Sequence, residues 1–132
     1  MKQEVNKDYC LVDTNVIIES LRGNQKATEY LQNINFIISY ITYLEILQGA
    51  RDKNEQDGLI KYLSKFNVDW GGIETNIISK ELYIRYNLSN NLHIFDSLIA
   101  ATAMLLGMTL VTENIKHFKF LKGFDIIKPS YL

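Results

Sequence analysis

The chain has 132 residues, of which 47% are hydrophobic, and its formal net charge is -1. This length suits one domain spanning residues 1–132, and the apolar fraction suffices for a hydrophobic core. The near-neutral charge excludes a surface that attracts nucleic acid as a whole, so any such contact needs a local basic patch or a bound metal ion. With only one cysteine, Cys10, an internal disulfide is excluded.

Nothing in the sequence directs the chain to a membrane. Residues 1–9, MKQEVNKDY, lack the apolar stretch of a signal peptide. No segment approaches the roughly 20 apolar residues that are needed to cross a bilayer. Together with the low cysteine content, these features predict a protein of the reducing cytoplasm.

The first half of the chain alternates between short apolar runs and helical spacing. YCLV (9–12) is an apolar run that predicts a buried strand, and the helical spacing after it predicts a helix that Gly23 ends. A second short helix is predicted over 24–33, followed by a buried strand at FIIS (36–39). Residues 40–50 return to helical spacing, with Thr42 as the predicted N-cap and Glu45 completing a capping box.

The second half continues the same alternation. An amphipathic helix is predicted over 55–66, then a short edge strand over 67–70. A long helix over 75–89 has a predicted apolar face that includes Ile77, Ile78, Leu82, Tyr83 and Tyr86. A nearly all-apolar helix over 94–107 precedes a strand at TLVT (109–112), a loop and a last strand near 124–127.

This alternation predicts the fold class. Strands that alternate with helices form βαβ units, which give an α/β three-layer sandwich with a mainly parallel central sheet and helices on both faces. In folds of this kind, sites form beyond the carboxyl ends of the strands. Polar residues that follow the strands are therefore the candidates for function.

Four polar side chains are predicted to meet at that edge of the sheet: Asp13, Glu45, Asp96 and Asn114. Helix capping and the helix dipole are alternative explanations for each acid. Asp96 is the hardest to explain in this way, because the helix around it is apolar and an unpaired carboxylate there is costly. Converging carboxylates also repel one another, and a bound divalent cation removes both problems.

The donor set predicts the kind of cation. Carboxylate and amide oxygens suit Mg²⁺ or Mn²⁺, whereas the two histidines, His93 and His117, are too few and too scattered in sequence for a zinc motif. Hydroxyl and amide groups near the acids are expected to support the ligands from behind, namely Thr14, Asn15 and Thr112. A basic loop beside Asn114 offers candidate contacts to a phosphate backbone, namely Lys116, His117 and Lys119.

A carboxylate cluster with a divalent ion is typical of enzymes that hydrolyse phosphodiester bonds. In this hypothesis Asp13 and Asp96 bind the metal directly, and Glu45 orients or deprotonates the attacking water. Asn114 would bind the metal through its carbonyl oxygen or through a water molecule.

Three blocks of the sequence resemble the PIN-domain nucleases, specifically the VapC-type toxins of type II toxin–antitoxin pairs. The blocks are LVDTNVIIESLRG, ISYITYLEILQGA and HIFDSLIAATAMLLGMTLVTENIKHF. The resemblance places the family's metal-binding acids at Asp13, Glu45 and Asp96, and its fourth polar position, often aspartate, at Asn114. It also implies a PIN-like fold, Mg²⁺-dependent endoribonuclease activity, a cognate VapB-like antitoxin and a homodimer.

Rival interpretations stay open at this point. A receiver-like phosphoacceptor signalling domain has a similar length and an acidic site at its strand ends, although Asp96 opens a helix and Lys128 follows the last predicted strand. A PIN-like module that only binds RNA or protein is a second alternative. A dehalogenase-type phosphatase would need an aspartate two residues after Asp13, where Asn15 stands.

Overall fold

The computed structural model describes residues 9–132, so residues 1–8, which the signal-peptide prediction concerned, lie outside it. The strands of this range are Tyr9–Val12 (β1), Asn35–Ser39 (β2), Val68–Asp69 (β3), Thr109–Val111 (β4) and Ile126–Ile127 (β5). The α-helices are Thr14–Leu21 (α1), Gln25–Gln32 (α2), Tyr40–Gln48 (α3), Lys53–Leu63 (α4), Ile73–Asn90 (α5) and Ile94–Leu106 (α6). A short 3₁₀ helix, Ile115–His117, follows β4.

The strands form a parallel sheet in the order β3-β2-β1-β4-β5. β1 lies at the centre, where Leu11 is in register with Ile37 of β2 and Leu110 of β4. All five carboxyl ends therefore point to the same edge. This confirms the predicted fold class, and the order differs from the β2-β1-β3-β4-β5 arrangement of receiver domains.

Successive residues of the central strands face opposite sides of the sheet, and each side carries its own core. Leu11 and Leu110 pack in one core with residues of α5 and α6. The next residues, Val12 and Val111, pack in the other core with residues of α1, α2, α3 and α4. This alternation is the period of two expected of strands that are covered on both faces, and it produces the three layers.

Two local predictions were wrong. The N-cap of α3 is Ser39 rather than Thr42, because the Ser39 hydroxyl accepts a hydrogen bond from the backbone N–H of Thr42 at 3.1 Å. Ile77 was assigned to the apolar face of α5, yet it is 48% exposed, and the helix buries Thr75 and Ser79 instead. The Ser79 hydroxyl lies 2.9 Å from that of Ser97, so small polar residues allow α5 to approach α6 closely.

No helix within residues 9–132 has both the length and the apolar character required to span a bilayer.

Candidate active site

Asp13 is the residue that follows β1, and its two carboxylate oxygens make separate contacts. Oδ1 accepts a hydrogen bond from the backbone N–H of Thr14 at 2.8 Å, which makes Asp13 the N-cap of α1. Oδ2 accepts a hydrogen bond from the Thr112 hydroxyl at 2.7 Å. The side chain is therefore both a helix cap and a link to the end of β4, and its residue is only 5% exposed.

Glu45 reaches the same region from the second half of α3. Its Oε1 accepts a hydrogen bond from the Thr14 hydroxyl at 2.6 Å, and Thr14 Oγ1 also lies 3.0 Å from Thr42 Oγ1. Thr14 is the donor in both contacts, and because a hydroxyl carries one hydrogen, it serves one acceptor at a time, with Glu45 the nearer. Ser39 adds a third hydroxyl to this group, 3.3 Å from that of Thr42.

Asp96 lies in the first turn of α6, with a side chain that is 17% exposed. Its Oδ2 is 3.2 Å from Nδ1 of His117 and 3.6 Å from Nδ1 of His93. His93 is the N-cap residue of α6, and His117 ends the 3₁₀ helix after β4. Two imidazole rings from different segments thus face one oxygen of this carboxylate.

The three carboxyl groups are close enough to influence one another's ionisation. Burial raises the pKa of Asp13 to about 6, and the negative charges of Asp96 and Glu45 add to this rise. Burial also raises the pKa of Glu45, with a further contribution from the charge of Asp96. Burial raises the pKa of Asp96 even though the nearby histidines oppose the rise. All three groups therefore resist being charged together, as carboxylates that share a site do.

Some of the other predicted site residues form hydrogen bonds to these carboxylates, and others do not. Thr14 and Thr112 are buried and donate to Glu45 and Asp13, respectively. Asn114 is linked to Asp13 through Thr112, because its backbone N–H donates a hydrogen bond to the Thr112 hydroxyl at 3.0 Å. Among the hydrogen bonds of residues 9–132, none joins the Asn114 side chain to a carboxylate. Its proposed part in metal binding stays a prediction.

Asn15 presents a buried acceptor without a partner. Its Oδ1 atom is enclosed and receives no hydrogen bond from the described part of the chain. An unsatisfied buried acceptor costs about 1–3 kcal/mol, so a ligand that brought a donor, such as a hydrated cation, would be stabilised there. Asn15 follows Asp13 by two residues at the start of α1.

The donor set as a whole fits a hard divalent cation. It consists of mutually repelling carboxylates with raised pKa values, buried hydroxyl groups that support them and one orphaned amide oxygen. Mg²⁺ and Mn²⁺ prefer such oxygen ligands, and a cation would offset the repulsion.

The basic loop lies at the surface, as Lys116, His117 and Lys119 are all exposed. The two histidines are far apart in sequence, but folding brings His93 and His117 to within 5.3 Å, measured between ring centroids. A signal for this exists in the sequence. His93 precedes Asp96 by three residues, and His117 follows Asn114 by three, so each histidine lies about one turn from a predicted site residue.

Comparison with known proteins places the chain in a family. Residues 10–121 match the family model of the PIN domain, and the chain belongs to the PIN-domain family. One curated relative is Ribonuclease VapC1 of Rickettsia felis, which is 31% identical over 134 residues that include 91% of this chain and 96% of the relative. Ribonuclease VapC10 of Mycobacterium tuberculosis is 30% identical, with 92% of each chain covered.

Solved structures show the same fold. A chain of a toxin–antitoxin complex from Klebsiella pneumoniae superposes with a TM-score of 0.76 at 30% identity, covering 91% of this chain and 97% of that one. A chain of the DNA-bound VapBC complex from Salmonella typhimurium gives the same TM-score at 21% identity, covering 93% and 98%. The family membership, together with the strand order, excludes the receiver-domain interpretation.

Proposed function

We propose that this chain is a divalent-metal-dependent endoribonuclease that acts as the toxin of a type II toxin–antitoxin pair. The observation that carries the proposal is the convergence of Asp13, Glu45 and Asp96, each of which has a raised pKa. The relatives named as VapC ribonucleases support RNA as the substrate. Mg²⁺ is the proposed ion, with Mn²⁺ as the alternative, because all of these donors are oxygen atoms.

In this proposal Asp13 and Asp96 hold the metal ion and Glu45 completes the acidic set. When bound, such an ion lowers the pKa of a water molecule and neutralises charge that develops on the phosphate. The hydrogen bonds from Thr112 to Asp13 and from Thr14 to Glu45 fix the two carboxylates in place before substrate arrives. Groups that need no reorganisation during the reaction contribute most to lowering its barrier.

We assign to Glu45 the role of orienting and deprotonating the attacking water. Like Asp96 it is half-buried, and its raised pKa makes it a better proton acceptor than a solvated glutamate. Thr14 holds one of its oxygens at 2.6 Å, which leaves the other free to accept a hydrogen bond from the water. The proton taken from water would therefore reside on Glu45.

The substrate backbone needs positive charge close to this acidic centre. Lys116 and Lys119 are exposed in the segment that carries His117, and His117 itself contacts Asp96. We assign these residues to phosphate groups that flank the bond to be cut, because cations that neutralise phosphates supply much of nucleic-acid affinity. Their replacement should weaken RNA binding with less effect on the chemical step.

A toxin needs partners, and the molecule has surface for them. Exposed apolar residues repeat along α5 at intervals of four, seven and four residues, namely Ile73, Ile77, Ile84 and Leu88. An exposed apolar stripe of this kind usually marks a protein-binding surface. We propose that this stripe of α5 forms the homodimer interface. We also propose a VapB-like antitoxin as the second partner, since similar chains occur in toxin–antitoxin complexes. The cytoplasm is the proposed location.

Cleavage of RNA by the purified protein tests the proposal. Wild type should cleave cellular RNA when Mg²⁺ is present, lose activity in excess EDTA and regain it when Mg²⁺ is restored. Asp13→Asn should bind RNA without cutting it, whereas Asp57→Asn, an exposed acid on α4, should cut like wild type. RNA binding without cleavage by wild type in Mg²⁺ and in Mn²⁺ would favour the non-catalytic alternative.

A further inference from the structure

Both histidines of the chain face the same oxygen atom. Nδ1 of His117 and Nδ1 of His93 lie 3.2 Å and 3.6 Å from Oδ2 of Asp96. One histidine comes from the segment before α6 and the other from the loop after β4, so the fold rather than local sequence brings them together. The three candidate ligand atoms all lie within 4.8 Å of one another.

A hydrogen bond to Asp96 explains the position of only one of the two imidazole rings. At 3.2 Å, His117 is at the limit of a hydrogen bond, whereas His93 at 3.6 Å is beyond it. Ion pairs from both rings to this one carboxylate would require both imidazoles to be protonated. Neutral imidazole nitrogens directed at a common point are, in contrast, the usual ligands of transition metals.

The chemistry of these three ligands differs from that of the carboxylate set. Two imidazole nitrogens and one carboxylate oxygen favour ions such as Zn²⁺ or Co²⁺ over Mg²⁺, which prefers oxygen ligands. Ligand atoms of a tetrahedral zinc site, with bonds of about 2.1 Å, lie about 3.4 Å apart. The side chains of His93 and His117 are 57% and 44% exposed, respectively. They therefore have room for the small rotations that would bring the three ligand atoms to the separation of a zinc site.

We propose that His93, Asp96 and His117 form a binding site for a transition-metal ion of the zinc class, adjacent to the carboxylate site and sharing Asp96 with it. The exposed rings leave the remaining coordination positions open to solvent, which is the pattern of an exchangeable site rather than a closed structural one. The site shares a residue with the proposed ribonuclease centre, but its existence does not require RNA cleavage.

The composition of the chain makes the site easy to test. The chain contains no other histidine, and its single cysteine, Cys10, is half-buried with a pKa that burial raises to about 11. An imidazole–metal signal from untagged protein must therefore come from His93 or His117. Thiolate ligation, which would give a distinct absorption, is not expected.

Titration of untagged, metal-free, full-length protein with Co²⁺, followed by visible absorption, is the experiment. We expect one Co²⁺ per chain, displaced by Zn²⁺, and a loss of affinity of at least about tenfold in both His93→Gln and His117→Gln, the size of loss seen even for residues that only support a ligand. Lys122→Arg, an exposed change five residues after His117, should bind Co²⁺ like wild type. In wild type, Zn²⁺ should shift the ring NMR signals of both histidines.

The proposal is overturned if wild type shows no Co²⁺ absorption, or if Zn²⁺ leaves both sets of ring signals in place. It is also overturned if both histidine variants bind Co²⁺ normally while Asp13→Asn does not, since the ion would then occupy the carboxylate site. Retained RNA cleavage by Asp13→Asn would count against the ribonuclease proposal alone. The two proposals therefore fail on different measurements.

Discussion

The Thr112 hydroxyl donates a hydrogen bond of 2.7 Å to Oδ2 of Asp13, a residue 99 positions earlier in the chain. The same oxygen of Thr112 accepts a hydrogen bond from the backbone N–H of Asn114 at 3.0 Å. One buried hydroxyl therefore ties the end of β4 to the residue after β1 and fixes the start of the loop that carries His117. This contact is the most direct physical link between the fold and the candidate site.

Replacing Thr112 with valine should affect both stability and metal binding. Thr112→Val keeps the shape of the side chain but leaves Asp13 Oδ2 and the Asn114 N–H without their partner. We expect the free energy of unfolding to fall by about 1–3 kcal/mol, the cost of unsatisfied buried polar groups. Urea unfolding measures this, and Mg²⁺ titration should show affinity that is about tenfold weaker.

The matched control is Thr109→Val at the start of β4, since Thr109 is half-buried and its hydroxyl makes no hydrogen bond within the described residues. It should change the free energy of unfolding by less than about 0.5 kcal/mol, as substitutions away from special features do. Equal losses in the two variants would show that the Thr112 contact with Asp13 has no particular importance.

Removing the hydroxyl of Thr14 should move the pH profile of cleavage. The hydrogen bond from Thr14 lowers the pKa of Glu45, while burial and Asp96 raise it. Without the hydroxyl, the pKa of Glu45 should rise further, so the acidic limb of the profile should shift to higher pH. The measurement is the cleavage rate of Thr14→Val from pH 5 to pH 9.

Thr14→Ser is the companion variant, because serine restores the hydroxyl. Its profile should return to that of wild type. A profile that is the same in Thr14→Val and wild type would argue against Glu45 as the proton acceptor.

Asp13 should make the metal-free protein less stable as the pH rises. Its pKa in the folded protein is about 6, compared with an ordinary value of 3.8, so the folded state retains the proton more strongly. The stabilising contribution is complete below about pH 4 and is lost as the pH rises through about 6, with a total of about 3 kcal/mol. Urea unfolding in EDTA from pH 4 to pH 7.5 measures this slope.

Asp13→Asn should flatten the slope, whereas Asp57→Asn should leave it unchanged. Mg²⁺ should act in the opposite direction, stabilising wild type more at pH 7.5 than at pH 5, because it binds ionised carboxylates. An unchanged slope in Asp13→Asn would mean that the pKa of this carboxyl is not raised.

The exposed stripe of α5 predicts the site of dimer formation. Leu88 is 94% exposed and Ile84 is 69% exposed. The double variant Ile84→Lys, Leu88→Lys should reduce the mass measured by light scattering from that of a dimer to that of a monomer, because charges in an apolar interface are costly. The control Lys80→Arg should stay dimeric. A dimeric double variant would assign the stripe to another partner.

The sequence predicted those features that arise from strong local patterns. β1 matched its predicted range because YCLV is bounded by polar residues, and α6 ends at Leu106 because Gly107 adopts the left-handed conformation that favours glycine. The convergence of Asp13 and Glu45 followed from the rule that parallel strands end at one edge.

The failures came from features that depend on tertiary packing. The helical period of α5 could not show that Thr75 and Ser79 would be buried against α6 while Ile77 remained exposed. The pair His93 and His117 was missed because 24 positions separate them, and only the docking of the 3₁₀ helix beside α6 brings their rings together. The three-residue spacings from Asp96 and Asn114 indicate only that each histidine lies near the site, not that the two rings meet.

The most direct test of the central claim is to map cut sites in cellular RNA after induction of wild type, Asp96→Asn and Asp57→Asn. We predict discrete new 5′ ends and arrested growth with wild type and Asp57→Asn, and neither with Asp96→Asn at equal protein level. The same set of cut sites in Asp96→Asn as in wild type would contradict the proposed ribonuclease centre, because catalysis would then proceed without the carboxylate of Asp96.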